Sequence, residues 1–209
     1  VRGVWVSNVA NIDTPQMKSK EEYQNYLKAM IERIASYNMN TIVFQVRPAN
    51  DAYYPSLLNP WSRFITGTEG RDPGFDVLQF VIDEANKYGI RVHAWMNPYR
   101  IATRANNGTP YPPLHTSVKS EWVVSHEKIQ IYNPALPEVR QRLSDIVKDL
   151  IIKYDVDGIH FDDYFYPDPS SAGVMISDAG DFQKYGTGFT KIEDFRRDNV
   201  DKAIKAVHD

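Results

Sequence analysis

A chain of 209 residues with 42% hydrophobic and 24% charged residues is long enough for one large domain with a sizeable core. A net charge of -3 with scattered basic residues argues against a nucleic-acid or polybasic membrane partner, and no apolar stretch is long enough to span a bilayer. The absence of cysteine excludes a disulfide framework and thiolate chemistry without fixing the compartment.

The first strand is expected at about residues 2–7, and Val1 opens directly into it with no signal peptide ahead, so the chain reads as trimmed. Ser19-Lys-Glu-Glu22 has the form of a capping box and opens a helix to about Tyr37, whose Tyr23, Leu27, Met30, Ile31 and Ile34 share one face. Strand two is Thr41–Val46, and a helix from about Phe75 to Tyr88 ends at the cap residue Gly89. Strand three is Ile90–Met96. Asn133-Pro134 provides an N-cap and a first-turn proline for a helix that buries Val139, Leu143, Ile146, Val147, Leu150 and Ile151. Strand four is Gly158–Phe161, and Thr190-Lys-Ile-Glu193 reads as a second capping box opening the last helix.

Four successive βα units predict a parallel sheet. The fold expected is a TIM-type (β/α)8 barrel of which residues 1–209 hold the first four units as a single catalytic domain, with strands five to eight beyond Asp209. Helix-to-strand links are short, whereas the strand-to-helix stretches at about 47–74, 97–132 and 163–189 are long, which is where barrel enzymes build their sites. Those stretches carry Tyr53, Tyr54, Trp61, Phe64, Tyr99, Tyr111, Trp122, Tyr132, Tyr164 and Tyr166, flat rings suited to stacking on sugars.

Alternation divides each strand into an apolar set and a set that turns polar toward its C-terminal end. In a sheet buried on both faces that polar set needs a reason: it either lines a barrel mouth or is a group of mutually hydrogen-bonded polar residues in a core, and its recurrence on four strands favours the mouth. Ser7, Arg47, Asn97 and Asp162 are expected to converge there, with Gln45, His93 and His160 one layer below.

Four motifs, Arg2-Gly-Val-Trp-Val6, Phe44-Gln-Val-Arg-Pro48 with Asp51-Ala-Tyr-Tyr54, His93-Ala-Trp-Met-Asn-Pro-Tyr-Arg100 and Asp157-Gly-Ile-His-Phe-Asp-Asp-Tyr-Phe-Tyr-Pro167, resemble the glycosyl-hydrolase-like family 10 in the expected order. That resemblance implies an exported bacterial barrel, in the periplasm, as a lipoprotein or at the cell surface. It would hydrolyse glycosidic bonds of an envelope glycan such as peptidoglycan, without a cofactor. Asp157-Gly-Ile-His-Phe-Asp162 also resembles, more distantly, the Asp-Gly-x-Arg-x-Asp motif of the alpha-amylase clan, whose final Asp is the nucleophile. This places that role on Asp162, with His160 standing where the clan has Arg.

Glycosidases flank the scissile bond with two carboxyl groups, one protonated and one ionised. Asp162 is the candidate for the ionised group, and Asp163 either assists it or caps the loop that follows. Arg47 is read as a clamp for a carboxylate or a holder of Asp162, and Asp51 as a hydroxyl acceptor or an Asx turn. Tyr54, Trp95, Asn97, Tyr99, Arg100, His160 and Tyr164 complete the substrate-binding candidates, although Trp95 also suits barrel filling. Glu121, Glu127 and Asp181 are further loop carboxylates, but the second catalytic group is expected beyond Asp209. Two alternatives remain: a non-catalytic glycan-binding barrel, and a metal-dependent hydrolase or deacetylase built on His93, His160, Asp162 and Asp163. The second lacks His-x-His or His-Glu-x-x-His spacing. The oligomeric state is open.

Overall fold

The computed structural model describes residues 1–104, 108–162, 165–167 and 177–209. In chain order its strands are β1 (Gly3–Val6), β2 (Thr41–Arg47), β3 (Arg91–Met96), β4 (Arg100–Thr103), β5 (Val123–His126), β6 (Ile129–Tyr132) and β7 (Gly158–Phe161). The helices are α1 (Lys20–Ser36), α2 (Arg63–Thr66), α3 (Val77–Asn86), α4 (Pro137–Lys153), α5 (Ala179–Tyr185) and α6 (Ile192–His208). Two compact units result: Val1–Asn97 with Leu150–Asp162, and Pro98–Asp149 with Asp163–Asp209.

The first unit holds a parallel sheet in the order β1-β2-β3-β7. These are the four strands expected from the sequence, each within a residue or two of the predicted ends. Every residue of β2 is buried, because a central parallel strand is covered on both faces. Helix α1 forms because Ser19 Oγ accepts from the Glu22 amide at 3.2 Å, leaving Tyr23, Leu27, Ile31 and Ile34 on one buried stripe. Met30 lies at the margin of that stripe, half-buried. Each fully buried aliphatic side chain there contributes about 1.5–3 kcal/mol. Helix α3 starts at Asp76, which accepts from the Gln79 amide at 3.1 Å and, through its other oxygen, from the Tyr154 hydroxyl at 2.5 Å. Gly89, at φ 64, then turns the chain into β3 in the left-handed conformation the cap requires.

The second unit corrects the expectation of a long structureless stretch after β3. Residues 100–132 contain an antiparallel sheet ordered β4-β6-β5, in which β5 and β6 form a hairpin turning at Glu127-Lys128. Its core brings together Tyr99, Ile131, Tyr132, Val139, Leu143 and Ala203. The stretch after β7 likewise includes α5.

Two helix starts differ from the sequence reading. Helix α4 opens at Pro137, not Pro134, because Asn133 is used in a tight turn: its Oδ1 accepts from the Ala135 amide at 3.0 Å and its amide donates to Asp181 at 2.8 Å. Helix α6 opens at Ile192 with Lys191 as N-cap and no side-chain cap, so Thr190 lies one residue too early to fill that place. Ile151, expected on the buried side of α4, is 53% exposed.

Candidate active site

The parallel sheet of the first unit stacks its inward residues in layers. Trp5 and Val43 share a register with His93 and Gly158, and the next layer up aligns Gln45, Trp95 and His160. His93 therefore sits one layer lower than the alternation argument placed it, and Trp95 takes its level. Gly158 lies close under His93: a Cβ there would meet the imidazole Cε1 and Nδ1 at 3.1 Å, so the ring would have to give by a few tenths of an ångström. Trp5, half-exposed, reaches up to stack edge-on against Trp95 (centroids 5.0 Å) and His160 (4.4 Å). Above this layer the β2–β3 register shifts between Gln45 and Arg47, a bulge that re-aims Arg47.

A hydrogen-bonded chain of side chains runs across the strand ends. Gln45 Oε1 accepts from the main-chain N–H groups of Asn8 and Val9, both at 2.8 Å, and from Ser7 Oγ at 3.3 Å. Gln45 Nε2 donates to Asn97 Oδ1 at 2.7 Å, and Asn97 Nδ2 faces both oxygens of Asp162 at 3.3 and 3.4 Å. Ser7, Asn97 and Asp162 thus meet at the C-terminal end of the sheet. Gln45, placed one layer down by the sequence and left out of the candidate set, is the link between them. Its mid-strand position in an otherwise apolar buried run was the available signal. Asn8, wholly buried, was missed: its amide donates to the Gln45 carbonyl at 2.6 Å and its Oδ1 accepts from Thr14 at 2.7 Å.

Arg47 is fully buried and holds the main chain of Asn97. Its Nη1 donates to the Asn97 carbonyl at 2.6 Å, its own carbonyl accepts from the Asn97 amide at 2.9 Å, and its Nε reaches Asn59 Oδ1 at 3.3 Å. Asp51 is also buried, with one oxygen accepting from the Ala49 amide at 2.9 Å and the other from Ser62 Oγ at 2.5 Å. Burial raises its carboxyl above the usual range, opposed by the Ser62 and Ala49 hydrogen bonds and by Arg47 and Arg63. Both oxygens are engaged by the loop itself, the arrangement of a turn pin. Tyr54 is buried edge-on against Tyr154 at 5.6 Å.

Burial lowers the His160 imidazole below the ordinary histidine value, with nearby Asp162 pulling the other way and His93 adding to the depression. Its Nε2 and the Trp95 indole N–H are shielded from solvent and have no hydrogen-bond partner among the described residues. A neutral imidazole therefore stands where the amylase-clan motif has a fixed positive charge. Asp157, at the other end of the motif, is structural: its carboxylate accepts from the Val92 amide at 2.8 Å and its amide donates to the Val92 carbonyl at 2.9 Å, pinning β7 to β3.

Tyr99 and Arg100 belong to the second unit. Tyr99 is buried against Phe165 at 5.9 Å, its hydroxyl pushed well up by burial, and Arg100 begins β4. Glu121 and Glu127 are exposed there, Glu127 at the hairpin tip, while Asp181 accepts from Asn133. Asp163 and Tyr164 lie outside the described residues. Of the loop aromatics, Tyr53, Tyr54, Tyr99 and Tyr132 are at most 1% exposed, so this part of the surplus fills the interior instead of presenting rings to a ligand. Among the described residues no group of three His, Cys, Asp or Glu is placed to hold a metal ion, and no helix is long and apolar enough to cross a membrane. A groove of about 330 Å³ beside β1 and α1, lined by Val4, Trp5, Val6, Tyr26 and Met30, contains none of the candidate site residues.

Comparison with known proteins bears on the family and the fold. The chain is 37% identical over 213 residues to the glycosyl hydrolase YngK of Bacillus subtilis (strain 168), covering 100% of this chain and 41% of that protein. It is 34% identical over 225 residues to the glycosyl hydrolase DigH of Escherichia coli (strain K12), covering 99% and 51%. The chain thus spans about half the length of these relatives or less. Among solved structures, an alpha-galactosidase from Thermus thermophilus superposes with a TM-score of 0.53 at 11% identity, over 99% of this chain and 36% of that one. An exo beta-N-acetylglucosaminidase from Vibrio harveyi gives 0.52 at 14%, over 98% and 34%. These likenesses give the fold, four consecutive βα units of a TIM-type barrel. The family described as "Glycosyl hydrolase-like 10" matches residues 1–209, and the chain belongs to it.

Proposed function

We propose that this chain is the catalytic part of a glycoside hydrolase that cleaves a polysaccharide, with Asp162 as its ionised carboxylate and an envelope glycan such as peptidoglycan, met after export, as substrate class. The observation that carries the reading is the delivery of Asp162 to the C-terminal end of the fourth parallel strand, with an amide donor turned toward it. That is where barrel enzymes place catalytic groups. Family membership and relatives named as glycosyl hydrolases support it. Asp163 is assigned the lesser role of orienting Asp162 or binding a hydroxyl, since adjacent residues are poorly placed to approach a sugar from opposite sides. Trp95, level with His160 on the neighbouring strand, is proposed to border the subsites.

The test is digestion of purified peptidoglycan glycan strands by the full-length protein. Hydrolysis is read from new reducing ends, and binding from co-sedimentation with the strands. Cleavage supports the reading. Binding without cleavage would establish a glycan-binding barrel instead.

A further inference from the structure

We propose that Gln45 is a positioning residue for Asp162, acting through Asn97 by fixing which end of the Asn97 amide faces the carboxylate; this rests on the catalytic reading of Asp162. A side-chain amide can be turned either way, and its two orientations present opposite chemistry. Here the choice is dictated from one end. Main-chain N–H groups can only donate, and two of them, from Asn8 and Val9, converge at 2.8 Å on one terminal atom of Gln45. That atom must be the oxygen. The other end of Gln45 is therefore NH2, and the Asn97 atom it meets at 2.7 Å must be a carbonyl oxygen. The NH2 of Asn97 is left facing Asp162 at 3.3 and 3.4 Å.

The order donor–acceptor, donor–acceptor is thus transmitted from the turn after β1 across β2 and β3 to β7. Flipping either amide would set like atoms against each other at each junction. Neither is free to do so in water, since Gln45 is 1% exposed and Asn97 wholly buried. The main chain of Asn97 is clamped on both sides by Arg47. The turn that aims the two N–H groups has Ala10 and Asn11 at φ 52 and 55, left-handed conformations that a chain adopts at some cost and that cluster at functional sites. The 3.3–3.4 Å spacing to Asp162 is long for a hydrogen bond. It suits a donor that holds the carboxylate in orientation and tightens when substrate is bound.

A purely structural Gln45, stapling the β1 turn to β2, would leave the same contacts at its oxygen end. Gln45→Glu separates the two roles. The introduced carboxyl keeps an oxygen for the Asn8 and Val9 amides. When protonated, its O–H donates to Asn97 as the native amide does; when ionised it can only accept, and Asn97 must turn its carbonyl toward Asp162. Charged or titratable groups around the chain are Asp13, which accepts from the Ser7 amide, Arg47 on β2, and His160 and Asp162 on β7, with His93 below.

The experiment measures kcat and KM of the full-length protein on peptidoglycan glycan strands against pH, for wild type, Gln45→Glu and Gln45→Leu. In parallel, the Asn97 side-chain amide is followed by 1H–15N NMR with asparagine-selective labelling, assigned by its loss in Asn97→Ser. The expected result is a kcat for Gln45→Glu about 10²-fold below wild type above neutral pH, the scale of a slightly misplaced group, with KM within about 2-fold and kcat recovering as the pH is lowered. The Asn97 amide should shift in Asp162→Asn and in ionised Gln45→Glu. Equal losses in Gln45→Glu and Gln45→Leu that follow thermal stability and do not recover in acid would overturn the proposal. If wild type cleaves nothing, the catalytic reading fails and the NMR arm decides alone: an Asn97 amide indifferent to Asp162→Asn refutes the positioning role. The same comparison decides if the Gln45 variants do not fold.

Discussion

His160 shows how a single residue makes the fold sensitive to acid. Its ring is depressed by burial, so the folded state prefers it neutral while the unfolded chain titrates near the ordinary value of about 6.5. Below that value the unfolded chain binds the extra proton, so stability is intact above about pH 6.5 and falls with pH until the folded imidazole also protonates. His115 is lowered too, again mainly by burial, and contributes in the same direction. Chemical denaturation between pH 7.5 and 5 should show this loss, and His160→Gln should flatten the slope; an unchanged slope would assign the acid sensitivity elsewhere. Gly158 offers a second test. An alanine methyl would press on the His93 ring, so Gly158→Ala is expected to destabilise by about 1–3 kcal/mol, lowering Tm by about 2–4 °C per kcal/mol in a chain of this size. His93→Ser in the same chain should restore most of it, and a full loss without restoration would mean that something other than the imidazole is in the way.

Among the elements, the β5–β6 hairpin is the least obvious and the easiest to improve. Glu127 holds φ 48 at its tip, a conformation that strains a residue with a Cβ. Glu127→Gly should therefore stabilise the chain by roughly 0.5–1 kcal/mol, net of the greater freedom of glycine when unfolded; calorimetry showing a lower Tm would contradict this. The same residue explains why the hairpin was not legible. Four-residue strands joined by Glu-Lys lack the Asn-Gly or Asp-Gly signal that marks such turns. By contrast β1, β2, β3 and β7 could be read directly, because each is a short β-rich run with an alternating apolar set, and the central β2 is buried throughout. The start of α4 was misplaced because Asn133-Pro134 has the form of a helix entry, whereas Asn133 is engaged in a turn with Ala135 and with Asp181, 48 residues away. In the site, strand alternation sufficed to bring Ser7, Asn97 and Asp162 together. The linking role of Gln45 depends on two main-chain N–H groups in an irregular turn, which no side-chain pattern encodes.

For the whole molecule, sheet edges and chemistry set the expectations. Among the described residues β1 and β7 each pair with one strand, and Trp5 on β1 is half-exposed. Such edges favour association, so the 209-residue chain expressed alone should run larger than a monomer in light scattering; a stable monomer at high concentration would show the edges to be protected. Because the chain spans 41% and 51% of its relatives, catalytic assays belong to the full-length protein. The central claim, that Asp162 is the working carboxylate of a glycosidase, is tested most directly by Asp162→Asn. The measurement is kcat/KM of the full-length variant on peptidoglycan glycan strands, with circular dichroism confirming the fold. A loss on the order of 10³-fold or more is predicted, the scale on which positioned catalytic groups act. Hydrolysis within a few-fold of wild type would contradict the account.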